Sequence, residues 1–310
     1  MDFIIQVGLL AIGFFMLVKG ADYFVDGAAG IATKFGIPQL VVGLTIVAMG
    51  TSAPEAAVSI TGAMNGAADI AVGNVVGSNI LNILIILGIT GFITTVAVQK
   101  STLMIEMPFM MAITGLLIVL GMSGNDINFI EGILLWVWFI IYLAYLYFLA
   151  KKGSEEESIE DRPVWKLILF ILVGGAVVVW GANISVNAAT ALAQAIGISE
   201  KFIGLTIVAL GTSLPELVAS VTAAKKGNAD IAIGNIVGSN IFNILFVLGT
   251  SALIIPIPYK PTFLVDGIIA LAAGVLLWIA TIRKKELSRT WSIVMLLGYA
   301  AYFIYLLIQA

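Results

Sequence analysis

The chain has no cysteine and no histidine. Without thiols there are no disulfides, no thiolate metal sites and no cysteine nucleophile. Without imidazole there is no histidine general base and no His-ligated zinc, copper or haem. Charge is also scarce: 11% of the 310 residues are charged, against about 25% in soluble domains. The net charge of −3 leaves no basic footprint for nucleic acid. What the chain has instead is apolar surface, with 61% hydrophobic residues. Such a chain cannot cover a globule facing water, so membrane lipid is the expected solvent for most of its surface.

A spanning helix needs about 20 mainly apolar residues. With turn clusters and charges as breaks, ten spans are predicted, at 3–33, 38–65, 70–94, 102–121, 128–150, 164–196, 200–224, 229–254, 263–282 and 290–308. The first and sixth are long enough to require tilt. The second, third, seventh and eighth are interrupted by Gly, Pro, Ser and Asn and are expected to be broken. The start Met1-Asp2 lacks a basic segment, so no cleavable signal is expected. Loops on one side hold Lys34, Lys100, Lys151, Lys152, Arg162, Lys166, Lys225, Lys226, Arg283, Lys284, Lys285 and Arg289. Those on the other side hold only Lys201 and Lys260. The basic side is therefore expected to be cytoplasmic, with both termini outside.

The chain is also a duplication. A shift of 161 residues lays Val41–Thr90 on Phe202–Ser251 with 31 identities in 50 positions and no gap. Five spans per copy is an odd number, so the second copy must enter the membrane inverted. Inverted repeats with broken helices meeting at the midplane are an architecture of secondary transporters. The expected fold is thus an all-α membrane protein of ten helices in two inverted five-helix repeats, 1–150 and 164–310. The segment 151–163, KKGSEEESIEDRP, is read as a solvated cytoplasmic linker, because its acidic residues lack EF-hand spacing.

Most acidic residues fall in loops or near span ends. Asp22 and Asp26, in the long first span, become Asn183 and Asn187 in the second copy, so the repeat does not require their charge. Glu55 and Glu216 differ. They occupy equivalent positions near the middle of spans 2 and 7, where an unpartnered carboxylate costs at least about 2.5–3.5 kcal/mol. Two like charges at that depth require protons or a cation. Pro54 and Pro215 lack an N–H and release the carbonyls of Gly50 and Gly211. Gly50-Thr51-Ser52 and Gly211-Thr212-Ser213 loosen the same turn. Freed carbonyls, hydroxyls and carboxylates are hard oxygen ligands that suit Ca²⁺ and Na⁺. In the neighbouring spans, Ser78 and Asn82 share a helix face, as do Ser239 and Asn243. Gly73/Gly77 and Gly234/Gly238 are read as close-packing pairs.

The segments GTSAPE…GNVVGSNILNIL and GTSLPE…GNIVGSNIFNIL resemble the two α-repeats of the sodium/calcium exchanger branch of the calcium/cation antiporter superfamily, over nearly the whole chain. The resemblance implies a secondary antiporter exchanging Na⁺ for Ca²⁺ by alternating access, not an enzyme. It implies Ca²⁺ between Glu55 and Glu216 with backbone oxygens of Thr51 and Thr212. It implies Na⁺ sites drawing on Ser52, Ser213, Ser78, Ser239 and the carbonyls of Ala48 and Ala209, with the first and sixth spans sliding across the core. Several members carry Asp at one of the paired amide positions, whereas Asn82 and Asn243 are both neutral here. That departure leaves H⁺ and K⁺ participation open. Ca²⁺/H⁺ exchange, K⁺-dependent exchange and a passive cation channel are the alternatives. No cofactor and no protein partner are implied.

Overall fold

The computed structural model describes residues 2–153, 160–197, 207 and 209–309. In lipid every backbone polar group must be satisfied within the protein, and apolar runs of this length achieve that as helices. We name the helices α1 (Asp2–Phe35), α2 (Gln39–Thr51), α3 (Ala53–Met64), α4 (Ile70–Ile93), α5 (Thr102–Gly124) and α6 (Phe129–Lys151). The second half supplies α7 (Val164–Ala195), α8 (Ala209–Thr212), α9 (Leu214–Lys225), α10 (Ala229–Ile254), α11 (Pro261–Ile282) and α12 (Arg289–Gln309). Eight of these, among the described residues, are each long and apolar enough to cross a membrane, and α2 with α3 forms a further pair bent by 51°. The start of the seventh predicted span, the loop cation Lys201 and Glu155–Glu157 of the linker lie outside the described residues.

Two short ladders tie the halves together. Strand β1 (Val96–Ala97) pairs antiparallel with β4 (Glu286–Leu287), and β2 (Asp126–Ile127) with β3 (Ile257–Pro258). The shift of 161 carries β1 onto β3, and one of 160 carries β2 onto β4, so each ladder is the image of the other. Two copies related by a two-fold axis produce this exchange. The hydrophobic core accordingly belongs to both halves and is centred on α4 and α10. Every residue of α10 from Ile231 to Phe242 is buried.

The expectation of four broken spans is corrected for two of them. Spans 3 and 8 run on as α4 and α10, each widened by a π-turn at Asn82–Leu87 and Asn243–Leu248. Neither run contains proline, so every N–H still has a backbone carbonyl to meet, and a π-turn absorbs the irregularity without a break. The close-packing role holds for the second glycine pair. A Cβ on Gly238 would lie 2.7 Å from the Leu44 carbonyl, and one on Gly234 3.0 Å from that of Leu40. For Gly73 and Gly77, the equivalent neighbours at 201–206 lie outside the described residues.

The 34 residues of α1 and 32 of α7 give lengths of about 50 Å at ~1.5 Å per residue, beyond the ~30 Å hydrocarbon thickness. The two helices cross antiparallel, with Gly13 against Gly181, Gly20 against Gly174 and Gly27 against Leu167. At each crossing a Cβ would fall within 3.0 Å of partner backbone, the signature of helices held together by small residues. Gly174→Leu is expected to separate the pair and destabilise the protein by about 1–3 kcal/mol or more through overpacking. Gly8→Ala, where nothing lies within 4 Å, is expected to be neutral. Thermal melting of the detergent-solubilised variants checks both.

Candidate functional site

A single non-helical residue precedes the helix that carries each glutamate. Helix α2 ends at Thr51 and α3 starts at Ala53, with Ser52 between them at φ −82°, ψ 7°. Ser213 at φ −91°, ψ 5° separates α8 from α9 in the same way. Proline sits within the first two positions of α3 and of α9, where its missing N–H disturbs no helical bond. The third residues of these helices are Glu55 and Glu216. Both carboxylates therefore stand at helix N-termini, where the backbone dipole favours negative charge.

The tertiary fold brings the two together. The hydroxyl of Ser52 donates to Glu216 Oε1 at 2.8 Å, and that of Ser213 donates to Glu55 Oε1 at 3.3 Å. Each carboxylate is thus held by a hydroxyl of the opposite half. Glu55 is 1% exposed and Glu216 fully buried. No ion pair to either is formed among the described residues. Their second oxygens, Glu55 Oε2 and Glu216 Oε2, are buried without any hydrogen-bond partner.

Asn82 and Asn243 begin the two π-turns, which pack against α9 and α3 respectively, and their Oδ1 atoms are likewise buried and unpartnered. A second amide pair dictates which way these side chains face. Asn79 Nδ2 donates to the Asn240 carbonyl at 3.1 Å, and Asn240 Nδ2 to the Asn79 carbonyl at 3.2 Å. This leaves Asn79 Oδ1 to accept from Asn243 Nδ2 at 3.1 Å, and Asn240 Oδ1 to accept from Asn82 Nδ2 at 2.9 Å. With the donor ends committed, the two carbonyl ends are turned away from them. The site thereby presents four buried oxygens without donors, one from each of α3, α4, α9 and α10. A buried acceptor left unmet costs about 1–3 kcal/mol and a charged one more, so these oxygens call for a proton, a water or a cation.

The remaining sequence-identified residues lie on α2, α4, α8 and α10. Thr51, Ser78 and Ser239 are buried, and Thr212 is half-buried. The Ser239 hydroxyl donates to the carbonyl of Ala48 at 3.4 Å, linking α10 to the end of α2. Thr51 Oγ1 lies 3.0 Å from Asn235 Oδ1. Ala209 begins α8, and its side chain lies outside the description.

Sequence reasoning missed the asparagines that orient the site. Besides Asn79 and Asn240, Asn74 Nδ2 donates to the Glu55 carbonyl and to Ser59, and Asn235 Nδ2 to the Glu216 carbonyl and to Ser220. All of them coincide under the 161-residue shift, and that was the available signal. A third carboxylate, Glu106, is also buried. It lies in α5 and accepts a hydrogen bond from the Tyr145 hydroxyl of α6.

Fold and site together define an all-helical, multi-pass membrane protein made of two interlocked copies of one unit, with paired acids buried where the copies meet. The chain belongs to the sodium/calcium exchanger family: the family description "Sodium/calcium exchanger protein" matches residues 5–148 and 166–308. It is 32% identical to the sodium/calcium exchanger MaX1 of Methanosarcina acetivorans, over 96% of this chain and 97% of that one. It is 34% identical to the inner membrane protein YrbG of Escherichia coli, over 89% of each. Among solved structures it resembles the sodium-calcium exchanger NCX_Mj soaked with zero Na⁺ and Ca²⁺. The TM-score is 0.85 at 32% identity, covering 98% of this chain and 99% of that one.

Proposed function

We propose that this protein is a Na⁺/Ca²⁺ antiporter in which both ions compete for one buried set of oxygens. The observation that carries the reading is the group of four unpartnered oxygens on Glu55, Glu216, Asn82 and Asn243. Hard oxygens of this kind suit Ca²⁺ and Na⁺. Ca²⁺ would sit between the two carboxylates, with backbone oxygens of Thr51 and Thr212. Na⁺ would use the same carboxylates with Ser52, Ser213, Ser78, Ser239 and the carbonyls of Ala48 and Ala209. Two carboxylates are neutralised by one Ca²⁺ or by two Na⁺, so each cargo makes the crossing favourable in a low dielectric.

The reading has ten spans, α2–α3 and the segment around α8–α9 counting as one broken span each. The halves 1–150 and 164–310 are inverted about a two-fold axis in the membrane, and 151–163 is a cytoplasmic linker. The excess of Lys and Arg on one side supports an orientation with both termini outside. The described end of the linker supports a solvated, charge-paired role. The Arg162 guanidinium bonds Glu160 and holds its carboxyl down at about 2, and Lys34 of α1 donates to the Glu160 carbonyl at 2.8 Å. The α1–α7 pair, joined by its glycine crossings, would slide as one body over the core to alternate access.

Proteoliposomes with Na⁺, K⁺ and H⁺ gradients imposed separately test the proposal. An outward Na⁺ gradient is expected to drive ⁴⁵Ca²⁺ uptake without K⁺ and at equal pH on both sides. Uptake driven by a pH gradient alone in Na⁺-free buffer would replace it with Ca²⁺/H⁺ exchange, and an absolute need for K⁺ with K⁺-dependent exchange. Saturation-free current under voltage would point to a channel.

A further inference from the structure

The two halves match at the ion site but differ where the long helices meet the core. Lys226, which caps α9, reaches across to α1. Its Nζ lies 2.9 Å from Asp26 Oδ1 and 3.3 Å from Asp22 Oδ1, and it donates to the Asp22 carbonyl at 3.0 Å. The equivalents of Asp22, Asp26 and Lys226 under the repeat shift are Asn183, Asn187 and Asn65. None of these is charged, and Asn183 turns its amide back onto the Val179 carbonyl of its own helix at 3.0 Å. The packing follows the charges. Helix α1 lies along α9, whereas the corresponding contact of α7 with α3 is nearly absent.

The same place borders two neighbouring cavities. A cavity of about 370 Å³ between α1, α4 and α9 is lined by Asp22, Ile89, Leu217, Lys225 and Lys226. A second cavity, of about 300 Å³, shares Ile89 and Leu217 with it and extends to Ser213, the residue that bonds Glu55. Any displacement of α1 along α9 changes the first cavity and must also break the lysine's contacts.

We propose that Lys226 with Asp22 and Asp26 forms an electrostatic latch that holds the α1–α7 pair in the position seen here. The opposite half has no such latch, so the two access states of the exchanger are unequally populated. The inference rests on the sliding-pair reading given under the proposed function. It identifies Lys226 as a positioning residue that acts through α1 and not on the ions. The partners are 28–42% exposed, so the latch is a modest, salt-screened bias and not a lock.

The absence of cysteine makes the test direct. Spin labels at Phe15→Cys on α1 and Lys225→Cys on α9 report the α1–α9 separation in the full chain. One separation is expected to dominate in 50 mM salt. Lys226→Ala, or Asp22→Asn with Asp26→Asn, is expected to raise a second population about two- to five-fold, the range for exposed ion pairs. Salt at 1 M should do the same to the unmutated latch. Lys226→Asp combined with Asp26→Lys and Asp22→Asn, which removes the repulsion that Asp22 would otherwise add, should restore the original distribution. Building the missing latch, with Asn65→Lys, Asn183→Asp and Asn187→Asp, should favour the second population while Lys226 is retained. A distribution that ignores Lys226→Ala at low salt, or that the charge swap fails to restore, overturns the latch. The label readout is independent of flux: unchanged distances with Na⁺-driven uptake intact remove the latch alone, and responsive distances without such uptake remove the exchanger reading alone.

Discussion

Glu216→Gln is expected to reduce Na⁺-driven ⁴⁵Ca²⁺ uptake by about 100-fold or more while the protein still folds. The substitution keeps the shape and leaves Oε1 available to the Ser52 hydroxyl, so the broken turn at Ser213 has no cause to move. What disappears is one of two charges in a fully buried site. A Ca²⁺ ion entering the variant would remain half-neutralised in a low-dielectric environment. Breaking a buried charge pairing costs about 3–5 kcal/mol, and each 1.4 kcal/mol is about tenfold. Two melting measurements separate this from simple damage. In the ion-free state the variant should melt no lower than the parent, because it has lost the repulsion between two buried carboxylates. In Ca²⁺ at 100 times the parent's dissociation constant, the parent should gain about 2.7 kcal/mol by linkage, and the variant close to nothing. Glu55→Gln should behave in the same way, since Ser213 plays for Glu55 the part that Ser52 plays for Glu216. Near-parental exchange in either variant refutes the site.

Asn79→Ala is expected to raise the Ca²⁺ concentration for half-maximal uptake by about tenfold or more, although Asn79 touches no ion in the proposed site. Removing its amide takes one of two donors from the Asn240 carbonyl, which keeps the Asn243 backbone N–H, and leaves Asn243 Nδ2 without an acceptor. A buried donor stranded in this way costs about 1–3 kcal/mol. Asn243 can recover by turning its Nδ2 toward the site, and that rotation replaces a ligand oxygen with a donor aimed at a cation. A double-mutant cycle identifies this mechanism. In an Asn243→Ala background, Asn79→Ala should add much less to the half-maximal concentration than it does alone. Full additivity would make Asn79 a packing residue instead.

These two predictions draw on differently legible parts of the molecule. Glu55 and Glu216 stand out in the sequence because a carboxylate in the middle of an apolar run is expensive and occurs twice in register. The proline one residue before each, and the Gly-Thr-Ser ahead of it, mark the breaks at Ser52 and Ser213 for the same local reason. Asn79 does not stand out in this way. It lies among the polar residues of GNVVGSN, each able to bond a ligand, a helix or its own backbone, and only a partner 161 residues away settles the choice. Glycine and asparagine likewise suggested breaks in spans 3 and 8, yet those helices continue through π-turns. Composition reports how weak a helix is, not whether its neighbours will hold it.

The sequence by itself determined that the protein lives in lipid, because so few charges cannot solvate a globule. It determined that the chain is two copies of one unit, and that each copy brings one buried acid. The tertiary structure alone decided that each acid is gripped by the other copy, which ends of the amides face inward, and that Lys226 pairs with Asp22 and Asp26 across to α1. The division is physical. Hydrophobicity and proline act on the residues beside them, whereas the direction of a hydrogen bond or ion pair depends on which distant groups the fold sets within 3 Å or so.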